Sequence, residues 1–130
     1  MRVTYLDSSA IVKLVVAEPE SRALRAHLRR RRPLVSSALA RTEVLRALLP
    51  FGAIAMSRGR EVLRRLDLVR ISDRVLDMAG IMEPAQVRSL DAIHLATAQL
   101  LGEDLGQVVT YDDRMADAAR SLGLRTASPA

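Results

Sequence analysis

Near its amino terminus the sequence reads VTYLDSSAIVKLV over residues 3–15. Residues 3–6 have the β-branched and aromatic content of a strand, and Asp7 follows directly. Ser8 or Ser9 is then expected to cap a helix whose apolar residues recur at helical spacing. A strand that passes through a short polar turn into a helix is typical of α/β proteins.

The same alternation of short strands and helices continues along the chain. Further strands are predicted over residues 33–36, 68–71, 107–110 and 124–126. Helices are predicted from Pro19, from Ser37, and over residues 54–66, 72–82, 90–101 and 112–122. The pattern predicts one α/β domain over residues 1–130, with a mostly parallel central sheet of about five short strands flanked by helices.

Composition excludes several classes of protein. The 130 residues include no Cys and two His, so disulfides, thiolate nucleophiles and zinc sites built on Cys or several His are not expected. The absence of Cys suits a reducing cytoplasm, where we expect the protein to be located. The longest apolar runs fall far short of the roughly 20 residues of a membrane helix, so no membrane association is expected.

The charge balance points to a polyanionic partner. The formal net charge is +5, and Lys13 is the only lysine, so the basic residues are almost all arginines, which grip phosphates bidentately. Three aromatic residues are too few for a base-stacking platform, so a bound nucleic acid would be held mainly by its backbone. The arginines at positions 29–32 either clamp RNA phosphates or remain solvated at a helix carboxyl terminus, where they relieve its dipole.

Four carboxylates are placed where they can meet in one cleft. Asp7 follows the first predicted strand and Asp112 the fourth, and the carboxyl ends of parallel strands form one edge of a sheet. Asp91 lies in the first turn of the 90–101 helix. Glu43 lies on an apolar face of the third helix, where solvent is not expected.

Each acid taken singly also has a purely structural explanation. Asp91 could cap a helix or offset its dipole, and Glu43 could pair with Arg46. Asp7 and Asp112 could simply form turns at strand ends. Their joint placement is what favours a shared site.

In a converged cluster of four acids, either some carboxylates would be protonated or a divalent cation would lie between them. Two unit charges 5 Å apart repel by roughly 3 kcal/mol at an effective dielectric near 20, so six pairs cost on the order of 10–20 kcal/mol. That exceeds the stability margin of a typical domain. Oxygen ligands favour Mg²⁺ or Mn²⁺, and such ions activate water and stabilise charge in phosphodiester cleavage.

Four segments of the sequence resemble the acidic motifs of PIN domains and, more narrowly, of VapC-type toxins from bacterial toxin–antitoxin pairs. They are YLDSSA at 5–10, Thr42-Glu43, SLDAIHLATA at 89–98 and VTYD at 109–112. They occur in the family's order and spacing and cover nearly the whole chain. The 89–98 and 109–112 segments are the most specific.

The resemblance implies a Mg²⁺-dependent endoribonuclease toxin that cleaves RNA, with Mn²⁺ as the alternative metal. It also implies a homodimer and a cognate VapB-type antitoxin whose carboxyl-terminal segment covers the acidic cleft. Carried over by position, Asp7 and Asp91 are the firmest metal ligands, and Glu43 and Asp112 complete the catalytic cluster, through water or a second metal. Ser9 and Thr110 resemble hydroxyls that orient the carboxylates.

Several alternatives remain open from the sequence. Asp113 could share or replace the role of Asp112, and Asp117 has no role that the sequence suggests. His94 lies one turn after Asp91, and a lone His on an apolar helix is expected to be packed, with a backbone partner. The protein could instead be a non-catalytic RNA-binding or scaffolding module of the same fold. A phosphoacceptor receiver domain is disfavoured because Asp7 stands alone after the first strand.

Overall fold

The computed structural model describes residues 2–130, which form five strands and seven α-helices. The strands are β1 (Val3–Leu6), β2 (Leu34–Ser37), β3 (Asp67–Val69), β4 (Leu105–Val109) and β5 (Thr126–Ala127). The helices are α1 (Ser8–Lys13), α2 (Ser21–Leu28), α3 (Ala40–Leu48), α4 (Ala53–Arg64), α5 (Asp73–Gly80), α6 (Ser89–Leu100) and α7 (Asp113–Ser121). In this described part of the chain, no helix has the length and apolar character needed to cross a bilayer.

All five strands are parallel and run in the order β3-β2-β1-β4-β5. The prediction of an α/β fold with a central sheet of about five strands is therefore confirmed. The central strand, β1, ends level with β4, because Leu6 pairs with Val109. Asp7 and Thr110 consequently leave adjacent strands at the same edge of the sheet.

Helices cover both faces of the sheet and keep water away from its centre. On one face, Leu6 and Val109 pack with apolar residues of α1 to α4. On the other, Tyr5 and Val108 pack with Ala98 of α6. Tyr5, Leu6, Val108 and Val109 are all almost completely inaccessible to solvent, so the end of β1 emerges from a dry core.

Several element ends differ from their predicted positions because side chains find other partners. The cap of α1 is Asp7 rather than Ser8 or Ser9, since the Asp7 side chain accepts from the Ala10 backbone. Ser37 belongs to β2, and its hydroxyl accepts from the Leu39 backbone before α3 begins at Ala40. The other shifts are small: α2 begins at Ser21, α6 includes Ser89, and the last strand is Thr126–Ala127.

Candidate active site at the carboxyl edge of the sheet

Asp7 is held in place by donors from helix α1 and from the residue that follows β4. Its Oδ1 accepts from Ser9 Oγ at 2.7 Å and from the Ala10 backbone at 3.0 Å. Its Oδ2 accepts from Thr110 Oγ1 at 2.5 Å. The side chain is 3% exposed, so neighbouring residues fix its position without any ligand. Ser9 and Thr110 thus orient the Asp7 carboxylate, as expected from the sequence.

Burial dominates the electrostatics of Asp7. It raises the pKa of the Asp7 carboxyl above its ordinary value, while the hydrogen bonds from Ser9, Thr110 and Ala10 act in the opposite direction. Folding therefore holds an acidic group in a place where its negative charge is unfavourable. A cation near this carboxylate would relieve that cost.

Asp112 lies beyond the end of β4 and caps α7. Its backbone N–H donates to Thr110 Oγ1 at 3.1 Å, so the same hydroxyl contacts both Asp7 and the segment that carries Asp112. Its Oδ1 accepts from the backbone N–H groups of Arg114 and Met115. The capping contacts hold Asp112 beside the Asp7 end of the sheet.

Asp91 occupies the first turn of α6 and is half-buried. Partial burial raises the pKa of Asp91, and the negative charges of Asp112 and, to a lesser extent, Asp7 raise it further, while the His94 and Arg88 side chains lower it. Within residues 2–130, no side-chain or backbone donor is hydrogen-bonded to the Asp91 carboxylate. Of the adjacent acids Asp112 and Asp113, it is Asp112 that raises the pKa of Asp91, and Asp113 is exposed.

Glu43 takes part in a hydrogen-bonded chain that the sequence did not reveal. His94 Nε2 lies 2.6 Å from Glu43 Oε1, and Tyr5 Oη lies 2.7 Å from His94 Nδ1. Ser8 Oγ donates to the same Glu43 oxygen at 2.7 Å. The expectation that His94 is packed is correct, since it is 2% exposed, but the expected backbone partner is wrong because both ring nitrogens contact side chains.

The chemistry of this chain fixes the direction of its hydrogen bonds. Burial acts to raise the pKa of Glu43, but the hydrogen bonds from His94 and Ser8 outweigh it, and the pKa lies below its ordinary value. Glu43 is thus an ionised acceptor, so His94 Nε2 donates to it. Burial raises the pKa of Tyr5 well above its usual range, and the protonated phenol donates to His94 Nδ1.

The structure links the four predicted acids in two ways. Asp7, Asp91 and Asp112 are close enough to interact through their charges, and Glu43 is joined to them by Ser8, next to Asp7, and by His94, one turn after Asp91. No three acidic or imidazole side chains among residues 2–130 form a ready-made cluster of metal ligands. Mg²⁺ commonly binds through one or two carboxylates and keeps several waters, and these oxygen donors suit it.

Two other groups singled out in the sequence lie away from this site. The arginines at positions 29–32 follow α2 and precede β2, at the amino edge of the sheet, opposite Asp7. There Arg31 donates to the His27 carbonyl at the helix end. Asp117 is exposed on α7 and pairs with Arg120 at 2.5 Å.

The sequence is similar to known proteins along nearly its whole length. A family model described as PIN domain matches residues 4–121. Ribonuclease VapC46 of Mycobacterium tuberculosis is 62% identical over 129 residues, covering 99% of both chains. Ribonuclease VapC47 of the same species is 38% identical over 130 residues, covering 96% of both chains.

Solved structures share the fold at low sequence identity. A toxin–antitoxin complex from Klebsiella pneumoniae contains a chain that matches with a TM-score of 0.74 at 19% identity, covering 98% of both chains. Mycobacterium tuberculosis VapC20, a sarcin–ricin loop cleaving toxin, matches with a TM-score of 0.72 at 14% identity, over 88% of this chain and 94% of that one. At these identities the likeness supports the fold alone.

Proposed function

Because the chain belongs to the PIN-domain family, we propose that it is a metal-dependent endoribonuclease and the toxin of a bacterial toxin–antitoxin pair. One observation carries this proposal. Asp91 is a half-buried carboxylate near the end of β1, with two acidic neighbours and no hydrogen-bond donor within residues 2–130. A carboxylate that only stabilises a helix end does not require partial burial or two nearby acids. The names of the sequence relatives, both ribonucleases, point to the same chemistry.

The four acids are proposed to hold a divalent cation in different ways. Asp7 and Asp91 are proposed as its main ligands, with Asp112 and Glu43 acting directly or through water. When bound, Mg²⁺ or Mn²⁺ lowers the pKa of a water and neutralises charge that develops on the phosphate. Both contacts from His94 and Ser8 go to Glu43 Oε1, so Oε2 keeps its lone pairs for water.

The proposed partners follow from the same family membership. RNA is the substrate, a VapB-type antitoxin is the inhibitor, and the toxin acts in the cytoplasm as a homodimer. Exposed apolar side chains support protein partners, because Phe51 and Ile54 next to α3 and Ile81 after α5 are 59%, 71% and 84% exposed.

A cleavage assay on purified protein tests the proposal. Total RNA is incubated with wild-type protein in Mg²⁺, in EDTA, and with the Asp7→Asn variant. The matched control is Asp117→Asn, which removes the same charge from an exposed pair on α7. We expect cleavage only by the wild type and the control in Mg²⁺. Equal cleavage by Asp7→Asn, or full cleavage in EDTA, would refute the assignment.

A further inference from the structure

A groove lined by four arginines lies beside β3, the edge strand that β2 separates from β1. It has a volume of about 560 Å³ and runs between α3, α4 and the end of β3. Its cationic walls are Arg41, Arg60, Arg64 and Arg70, and its apolar lining comes from Ala38, Leu45, Leu63, Leu66 and Leu68. No carboxylate lines it. The groove therefore presents four positive charges over an aliphatic floor.

Part of the groove lies at the same edge of the sheet as Asp7, although its α4 residues and Leu66 precede β3. Ala38 directly follows β2 and Arg70 directly follows β3, as Asp7 directly follows β1. Neighbouring strands are about 4.8 Å apart, so the ends of β1 and β3 are separated by roughly 10 Å. Arg41 and Glu43 share α3, but two residues rotate a helix by about 200°, so they lie on different sides of it.

The positive charges of the groove have no partners within the described chain. Among residues 2–130, the ion pairs involve Lys13, His94 and Arg120, and none involves a groove arginine. The same four guanidinium groups also take no part in the side-chain hydrogen bonds of that region. Because like charges in one groove repel each other, this arrangement favours a polyanionic ligand.

We propose that this groove binds the phosphodiester backbone of the RNA on one side of the bond that is cut. The inference rests on the proposed function, which supplies RNA to the adjacent acidic edge. Arginine forks bind phosphate oxygens bidentately, and their planar faces stack on unpaired bases. The groove has no aromatic residue, so the arginines would supply both kinds of contact.

The chain provides its own control for this proposal. The arginines at positions 29–32 are equally basic, but they precede β2 and none of them lines the groove. If RNA binding depended on net charge alone, removing arginines from either place would weaken it equally. If the groove binds RNA, only the groove arginines matter.

Binding is measured by fluorescence anisotropy with a labelled single-stranded RNA of 15 nucleotides, in Mg²⁺, using Asp7→Asn protein so that the RNA stays intact. The groove variant adds R60Q, R64Q and R70Q. The control adds R29Q, R30Q and R32Q, leaving Arg31 and its contact with the His27 carbonyl unchanged.

A third protein carries R60K, R64K and R70K, which keeps the charges but removes the planar forks. Poly-glutamate is added as a competitor, because an acidic protein segment is the other ligand that such a groove suits.

We expect the groove variant to raise Kd at least tenfold at low salt and to reduce the slope of log affinity against log salt by about 2, for three lost contacts to single-stranded RNA. The control should stay within about twofold of its parent. The lysine variant should keep the salt slope and lose about threefold in affinity, which shows that charge is retained in a folded protein.

Three results would overturn the proposal: normal RNA binding by the groove variant, an equal loss in the control, or displacement of RNA by poly-glutamate at equal charge. Its failure is distinguishable from failure of the nuclease assignment. RNA binding through the groove with no Mg²⁺-dependent cleavage by wild-type protein would refute the nuclease and leave the groove. Mg²⁺-dependent cleavage by a protein whose RNA binding does not depend on the groove arginines would refute the groove proposal and leave the nuclease assignment.

Discussion

Asp7 and Asp91 are the same residue type at the same edge of the sheet, in opposite surroundings. Asp7 is buried and accepts three hydrogen bonds, from Ser9, Ala10 and Thr110. Asp91 is half-exposed, and its acidic neighbours act only to disfavour its charge. One carboxylate is positioned by the protein alone. Among residues 2–130, the only side chains that favour the charged form of Asp91 are His94 and Arg88.

This difference separates a structural requirement from a functional one. Donors from α1 and from Thr110, which follows β4, would hold Asp7 in place even in a protein with no catalytic role. Asp91 offers no such explanation, because a carboxylate near Asp112 and Asp7 costs stability unless a cation is bound. Substitutions at the two positions should therefore affect activity alike and stability differently.

The largest expected effect is on cleavage by Asp7→Asn. Asparagine keeps the size of the side chain but removes the charge that binds metal, so we expect RNA cleavage to fall by about a thousandfold or more. Gel-based cleavage of total RNA in Mg²⁺ measures this loss. Asp91→Asn should also lose most activity, since both acids are proposed ligands.

Relief of growth inhibition in cells checks the same prediction independently. Expression of the wild type should stop growth, and Asp7→Asn should permit it at equal protein level. Asp117→Asn, whose acid only pairs with Arg120 on the surface, should remain toxic. A toxic Asp7→Asn variant would show that the buried acid is structural only.

A smaller effect is expected from the chain that positions Glu43. His94→Ala removes the 2.6 Å contact to Glu43 and leaves the Tyr5 phenol without its partner. Residues that orient metal ligands typically contribute 10–100-fold, and we expect a loss of that size in kcat with little change in KM. His94→Gln, which can still donate to Glu43, should recover part of the loss. Equal losses in Ala and Gln would indicate that packing alone is affected.

Binding of Mg²⁺ should raise thermal stability only while both acids are present. At ten times Kd, a ligand of the folded state adds about 1.4 kcal/mol. For a chain of this size that corresponds to a rise of about 5 °C in Tm. Differential scanning fluorimetry with Mg²⁺ against EDTA measures the shift. It should disappear in Asp91→Asn and persist in Asp117→Asn, whereas an unchanged shift in Asp91→Asn would place the ion elsewhere.

The sequence predicted the fold and the positions of Asp7 and Asp112 at strand ends because both depend on local order. A short apolar strand followed at once by Asp7 places that acid at the carboxyl edge, and the same holds for Asp112 after β4. The parallel sheet then brings the two ends together, as the pairing of Leu6 with Val109 shows. No side-chain contact had to be known for this inference.

Contacts between distant elements could not be predicted in this way. His94 lies 51 residues from Glu43 and 89 from Tyr5, so no local pattern indicates that its ring joins them. The arginines show the same limit. The run at positions 29–32 is conspicuous in the sequence, yet the groove is formed by four arginines scattered over residues 41–70. Only the packing of α3, α4 and β3 brings these together.

The smallest expected effect is the most direct test of the comparison. Partial burial and the charge of Asp112 raise the pKa of the Asp91 carboxyl, which means that its negative charge is unfavourable in the folded protein. Asp91→Asn removes this charge, so in EDTA the metal-free variant should be more stable than the wild type. Because Asp91 is half-exposed, we expect a rise in Tm of only about 2 °C. Asp7→Ala should act oppositely, since it leaves the Ser9, Ala10 and Thr110 donors unpartnered at a cost of about 1–3 kcal/mol.

Thermal melting of both variants in EDTA distinguishes a cation site from helix capping. The position of Asp91 in the first turn of α6 lets its charge stabilise the helix by about 0.3–1 kcal/mol. A lower Tm for Asp91→Asn would mean that stabilisation of α6 by the Asp91 charge outweighs the repulsion from Asp112. That outcome is expected if the protein is a non-catalytic module of this fold. A higher Tm together with lost cleavage would mean that Asp91 destabilises the metal-free fold and is required for metal binding.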